Sequence, residues 1–187
     1  MLELALKDSE AAIRADSTWL LGYYNKAVSL AELDRKHQAL AAAATFKHLS
    51  SGRDIPGVTH RYGGLQIHIV ENSRKLHCVL QCFKEREGVN QVVLMKEGEY
   101  LLEKSAEIAQ PIVVVGQGKV TVSCKTGRPF HFTQEHYVEN VELRASCDSQ
   151  PELQDCASSD DTHAEVISLA TPSGYEHTDI DPECKVS

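Results

Sequence analysis

No run of apolar residues approaches the roughly 18 that a membrane span requires. Met1-Leu2-Glu3-Leu4 has no basic stretch ahead of an apolar core, so no secretory signal is read there. Cysteine spacing offers no disulfide framework. The six residues (Cys78, Cys82, Cys124, Cys147, Cys156, Cys184) are scattered, and without a signal they are expected as reduced thiols of the cytosol or nucleus. No basic stripe marks the chain, which argues against nucleic-acid binding. No phosphate loop is present either. Gly116-Gln117-Gly118-Lys119 lacks the Walker spacing, and Lys119 reads as a turn lysine. Aspartate is missing between Gln91 and Cys147, so paired acids for glycoside chemistry would have to come from Glu97, Glu99, Glu103, Glu107, Glu135, Glu139 and Glu142. These read as ordinary solvent-facing residues.

What is present suits one ordinary domain or two small ones. The chain has 187 residues, 42% hydrophobic and 25% charged. The net charge of -8 is confined to one end: Asp148 to Ser187 holds ten acids and one lysine, a balance of -9, and the remainder balances at +1. The tail is Ser- and Thr-rich as well as acidic, and residues 147-187 are expected to be disordered.

The first 52 residues carry a repeat. "ALKDSEAAIRADST" overlays "ALAAAATFKHLSSG" at an offset of 34 residues, with Ala5 on Ala39, Leu6 on Leu40 and Ser17 on Ser51. Tyr23, Ala27 and Leu30 stand at i, i+4 and i+7 and share one face of a helix. Asp34-Arg35 is the turn, and Ala39 and Ala43 form the inner face of a second helix. Here the chain resembles the tetratricopeptide repeat (TPR) proteins. Tyr23, Ala27, Leu30, Asp34 and Ala39 fall where that family places its aromatic, small, large, turn and small residues. Phe46 stands where an alanine is usual, and Ser17 and Ser51 stand for the terminal proline. The first repeat lacks its first helix, as if the chain began mid-repeat. The resemblance implies a groove for a protein or peptide ligand, bordered by Tyr23, Tyr24, Asn25 and Lys26. Of the positions matching a carboxy-terminal peptide clamp, Asn25 suits its role and Leu21 supplies no cation.

Residues 53-64 read as a linker rich in Gly, Pro and Asp. Residues 65-88 read as a capping helix, with Leu76, Val79, Leu80 and Phe83 at spacings of three and four and Gly88 as C-cap. His77, Cys78 and Cys82 sit together there, but no second pair completes a four-ligand zinc set, so buried free cysteines are expected. From residue 89 the period changes. "VVLM", "IVVVG" and "VTVSC" are short β-branched runs punctuated by glycine. Ile112 to Val115 are apolar throughout, as in strands buried on both faces. Strand signals recur at about 20-residue intervals.

This part resembles the opening coils of a right-handed parallel β-helix of the pectin-lyase-like family. Glu97-Gly98-Glu99-Tyr100 and Val115-Gly116-Gln117-Gly118 match its turns, and "VENVELR" its Asn-centred coil, with Asn140 a candidate for an asparagine ladder. Such solenoids stack many coils, so the resemblance also suggests a truncated product or a partner that covers the open end.

The fold expected is therefore α+β in separate segments: TPR-like α-hairpins (1-52), a linker, the capping helix, a short β-helix or β-solenoid (89-146) and a disordered tail. The function expected is a non-enzymatic protein–protein interaction scaffold in the cytoplasm, with no metal, cofactor, nucleic acid or membrane. The alternatives are a substrate adaptor of a ubiquitin ligase, a carbohydrate-binding β-helix using Tyr100, Phe130, Phe132 and Tyr137, or a fragment of a larger protein. A Cys–His nucleophile pair such as Cys124 with His131 rests on composition alone, and His131 and His136 flank a turn.

Overall fold

The computed structural model describes residues 1–82 and 89–145. Five helices and six strands occur among them. Helices α1 (Leu2–Ala15), α2 (Leu20–Glu32) and α3 (Lys36–Leu49) come first. In α2, Ala27, Leu30 and Ala31 are buried at i, i+3 and i+4, which is the stripe of an amphipathic helix. The turn into α3 places Asp34 at φ 57°, a conformation that aspartate tolerates better than most residues. Helix α3 is different in kind. Every residue from Ala39 to Thr45 is buried, so this alanine run is enclosed on all sides. Ser51 and Gly52, both at positive φ, end it. Pro56 opens the short helix α4 (Pro56–Tyr62), where its missing N–H costs nothing.

Strand β1 (Gly64–Val70) follows, and then α5 (Ser73–Cys82). The expected helix therefore loses its first residues to a strand. Leu65, Ile67 and Ile69 alternate with Gln66 and His68, a period of two that β1 adopts by pairing with β2 along its whole length. Phe83 and Gly88 of that expected helix lie outside the described residues.

Strands β2 (Val89–Leu102), β4 (Ile112–Cys124) and β6 (His136–Arg144) complete a four-stranded, wholly parallel sheet in the order β1-β2-β4-β6. The short strands β3 (Ala106–Ile108) and β5 (Phe130–Phe132) pair only with each other, as a second, two-stranded parallel sheet. Register slips at corresponding places along the large sheet, between Lys96 and Gly98 on β2 and between Val115 and Val120 on β4. Asn140 of β6 stands at φ 57° beside them. The close fit at this irregularity depends on Gly116, where an added Cβ would lie 2.1 Å from the Asn140 carbonyl oxygen.

The sheet is buried on both faces. Val92, Leu94, Val113, Val115 and Tyr137 join a core with Leu30, Leu40 and the alanines of α3. Val93, Met95, Val114, Tyr100 and Val122 join a second core with Leu76, Val79, Ile108 and Phe130. Tyr100 anchors that second core. It is 1% exposed, and its hydroxyl donates to the Lys96 carbonyl at 2.7 Å with the Val70 carbonyl at 3.0 Å.

This arrangement corrects the expected fold class. The helices do not form a separate segment, and the strands do not wind as a β-solenoid. The chain is an α/β fold in which α3 packs on β1, β2, β4 and β6. The physical reason lies in the alanines. Small side chains on one side let α3 approach α2, and small side chains on the other let it lie flat against the sheet. A repeat reading assigns only one of those sides. The tail assigned to disorder lies outside the described residues. Cys124 is a buried free thiol. Cys78 stands in a disulfide, counter to the expectation of reduced thiols.

Candidate interaction cleft

Helices α1 and α2 are linked through Asp16, whose carboxylate accepts from the Thr18 amide (2.9 Å) and hydroxyl (2.7 Å). The same bonds hold its pKa below the ordinary carboxylate value. Gly22 lets the two helices close. A Cβ there would meet both Ile13 and the Trp19 ring at 2.9 Å, so the ring packs over the bare backbone. Ser9 is buried in α1 and returns its hydroxyl to the Leu6 carbonyl at 2.7 Å.

Between the helices a cleft of about 420 Å³ remains open. One wall carries Ala5, Asp8, Ser9 and Ala12 of α1, and the other Asn25, Val28 and Ser29 of α2, with Trp19 at one end. Leu21 continues the α2 ridge one turn before Asn25 and is 52% exposed. Leu4, on the open side of α1, is 64% exposed, and Trp19 is 41% exposed. Nine large apolar side chains are exposed among the described residues, and seven of them lie between Met1 and Tyr24. That concentration sets the α1–α2 hairpin apart from the rest of the described surface.

Of the four residues assigned to a groove, Asn25 alone lines this cleft. The other three serve packing. Tyr23 is half-buried and donates its hydroxyl to the Ser17 carbonyl at 3.1 Å. Burial raises its pKa, with Glu139 and Asp16 adding to the effect. Tyr24 meets Phe46 of α3 edge to face, with ring centroids 5.7 Å apart. Lys26 reaches from α2 to the sheet, 3.2 Å from the Glu139 carboxylate and 3.8 Å from Glu10. Tyr137 stands in the same seam, and burial raises its pKa first, with Glu139 second.

Nearby, His37 of α3 approaches Glu135 at 3.6 Å. Burial lowers its pKa, more than Glu135 raises it. His136 stacks flat on Phe132, with centroids 3.9 Å apart and planes within 6°. No spacing in the sequence announced either contact. The Trp19 end of the cleft was missed too, although Ala5, Ser9 and Ala12 at i, i+4 and i+7 carried the signal.

The remaining candidates stand apart from this surface. Cys124 donates its thiol to the Thr126 carbonyl at 3.2 Å, while His131 is exposed on β5. Glu97, Glu99, Glu103 and Glu107 are exposed, and Glu103 pairs with Lys125 at 2.7 Å. Of the four aromatics weighed for carbohydrate, Tyr100, Phe130 and Tyr137 are buried in the two cores, which leaves Phe132 half-buried. Among the described residues no three His, Cys, Asp or Glu side chains converge as a metal set, and no helix is long and apolar enough to cross a membrane. Comparison with protein-family models, curated proteins and solved structures finds no match.

Proposed function

We propose that this chain is a non-enzymatic protein-interaction module whose docking surface is the α1–α2 hairpin. The observation that carries the reading is the occurrence of seven exposed large apolar side chains between Met1 and Tyr24, on the hairpin whose cleft Trp19 lines. The tetratricopeptide-like spacing of α2 and α3 agrees with it, because helical hairpins of that kind serve recognition. The sheet acts as a platform. It takes up α3, and Lys26 ties α2 to β6 through Glu139. The compartment we propose is the cytoplasm, where the free thiol of Cys124 is at home and the disulfide of Cys78 is an exception.

The test is a paired capture experiment. The full chain and a Leu4→Glu/Leu21→Glu variant are immobilised side by side and exposed to the same lysate. Both positions are exposed, so the variant should keep the wild-type melting temperature. Partners retained by the wild type should be absent from the variant. An identical set on both would rule out the hairpin as the docking surface.

A further inference from the structure

Resting on that reading, we infer that the α1–α2 cleft takes an amphipathic helix that carries a lysine or arginine opposite Asp8. The walls are themselves helices, whose backbone donors and acceptors are used internally. They offer a visiting chain little besides side chains. An extended peptide would bring a row of unpaired amides against Ala5, Ala12 and Val28, and only the side chains of Asp8, Asn25 and Ser29 stand in the cleft to meet them. A helix arrives with its backbone already satisfied.

The geometry of the walls agrees. Ala5, Ser9 and Ala12 form one ridge at i, i+4 and i+7, and Leu21, Asn25 and Val28 form the other. A helix packs its own ridge into the trough between two such rows, and small side chains permit a close approach. Trp19 and Leu21 give the apolar face of the visitor something to bury against.

Two polar groups define its chemistry. Asp8 lines the cleft and is exposed, and no cation answers it among the described residues. Lys26 is engaged by Glu10 of α1 and Glu139 of β6 and so does not answer Asp8. Ser29 lines the cleft and is only 5% exposed, and its hydroxyl makes no hydrogen bond among the described residues while still reaching solvent. An acid on the wall and a free hydroxyl at the base call for a donor on the visiting helix. The charge pair would set its register and direction more than its affinity. A second copy of this chain, a small molecule or an acidic helix are the other conceivable occupants, and the experiment separates them from a basic helix.

The probe is a phage-displayed library of amphipathic helices of about 18 residues, long enough to span the hairpin. Their apolar face is fixed and their polar positions randomised. Selection is run on the full-length chain and on Asp8→Lys. On the wild type, one randomised position should enrich for Lys or Arg. On Asp8→Lys, that position should switch to Asp or Glu, and wild-type clones should bind roughly three- to tenfold more weakly. Asn25→Trp and Ala12→Trp, checked for unchanged melting, should each reduce binding of the selected clones by about tenfold or more.

Helices that displace normally but show no charge preference, or the same preference on Asp8→Lys, would overturn this inference and leave the docking surface standing. Clones held equally well by both Trp variants would show that the cleft is not the site, and both readings would fall. A selection that enriches no helix would overturn this inference and leave the docking surface to the capture experiment.

Discussion

Gly116→Ala is the substitution that tests the sheet most directly. The added Cβ would stand 2.1 Å from the Asn140 carbonyl oxygen and 2.9 Å from its carbon, and both are backbone atoms that no rotamer change can move. Relief requires β6 to retreat by roughly 1 Å, since carbon contacts settle near 3.5 Å. That retreat strains the pairs on either side of Asn140, Val115 with Glu139 and Val120 with Val141. Losing two backbone hydrogen bonds costs about 0.5–1.5 kcal/mol each. Loosened packing of Tyr137 and Val138 adds about 1 kcal/mol. The total is about 3 kcal/mol, which for a domain of this size lowers the melting temperature by roughly 6–12 °C. Thermal melts followed by circular dichroism measure it. Gly57→Ala is the matched control: a Cβ there meets nothing within 4 Å, and alanine favours a helix by about 0.5 kcal/mol or more, so its melting temperature should hold or rise. Equal melting temperatures for Gly116→Ala and the wild type would refute the described approach of β6 to β4.

Tyr100→Phe removes a buried hydroxyl and leaves the Lys96 carbonyl without its donor, so it should cost about 1–2 kcal/mol in urea denaturation; no loss would mean that water already serves that carbonyl. Ala39→Leu adds three carbons at a site with 0% exposure, between α2 and the sheet, and should destabilise by about 1–3 kcal/mol; unchanged stability would contradict the close packing of α3. The lowered pKa of His37 has a definite sign: a folded value below the unfolded one means stability is present above the ordinary histidine pKa of 6.5 and falls away as pH drops through the lowered folded value. His37→Gln should therefore flatten the decline in melting temperature on acidification below pH 6.5, and an unaltered profile would assign that decline to other groups.

Much of the local structure was legible in the residues. Tyr23, Ala27 and Leu30 announced α2, and Ile112 to Val115 announced a strand apolar on both sides, because side-chain period is a property of the chain itself. Leu65 to Val70 misled for a similar reason. The segment is short, and its period of two was outweighed by the helical spacing that begins at Leu76. The four groove candidates were drawn from one helix, yet consecutive residues on a helix point in four directions. Asn25 faces the cleft, Tyr24 faces α3, and Lys26 reaches toward the sheet.

By itself the sequence determined that α2 and α3 are helices joined by a turn at Asp34, that Ile112 to Val115 form a strand apolar throughout, and that the chain's acidity lies beyond Cys147. Those properties follow from neighbours in the chain, through periodicity, backbone preference and charge. Only the tertiary structure decided that β1 joins β2, that α3 lies on the sheet and that the α1–α2 cleft stays open. Each of these depends on residues far apart in sequence, such as Lys26 with Glu139 or Gly116 with Asn140. An alanine run is equally suited to a helix or a sheet as neighbour, and the choice falls to whichever apolar surface the rest of the chain brings against it.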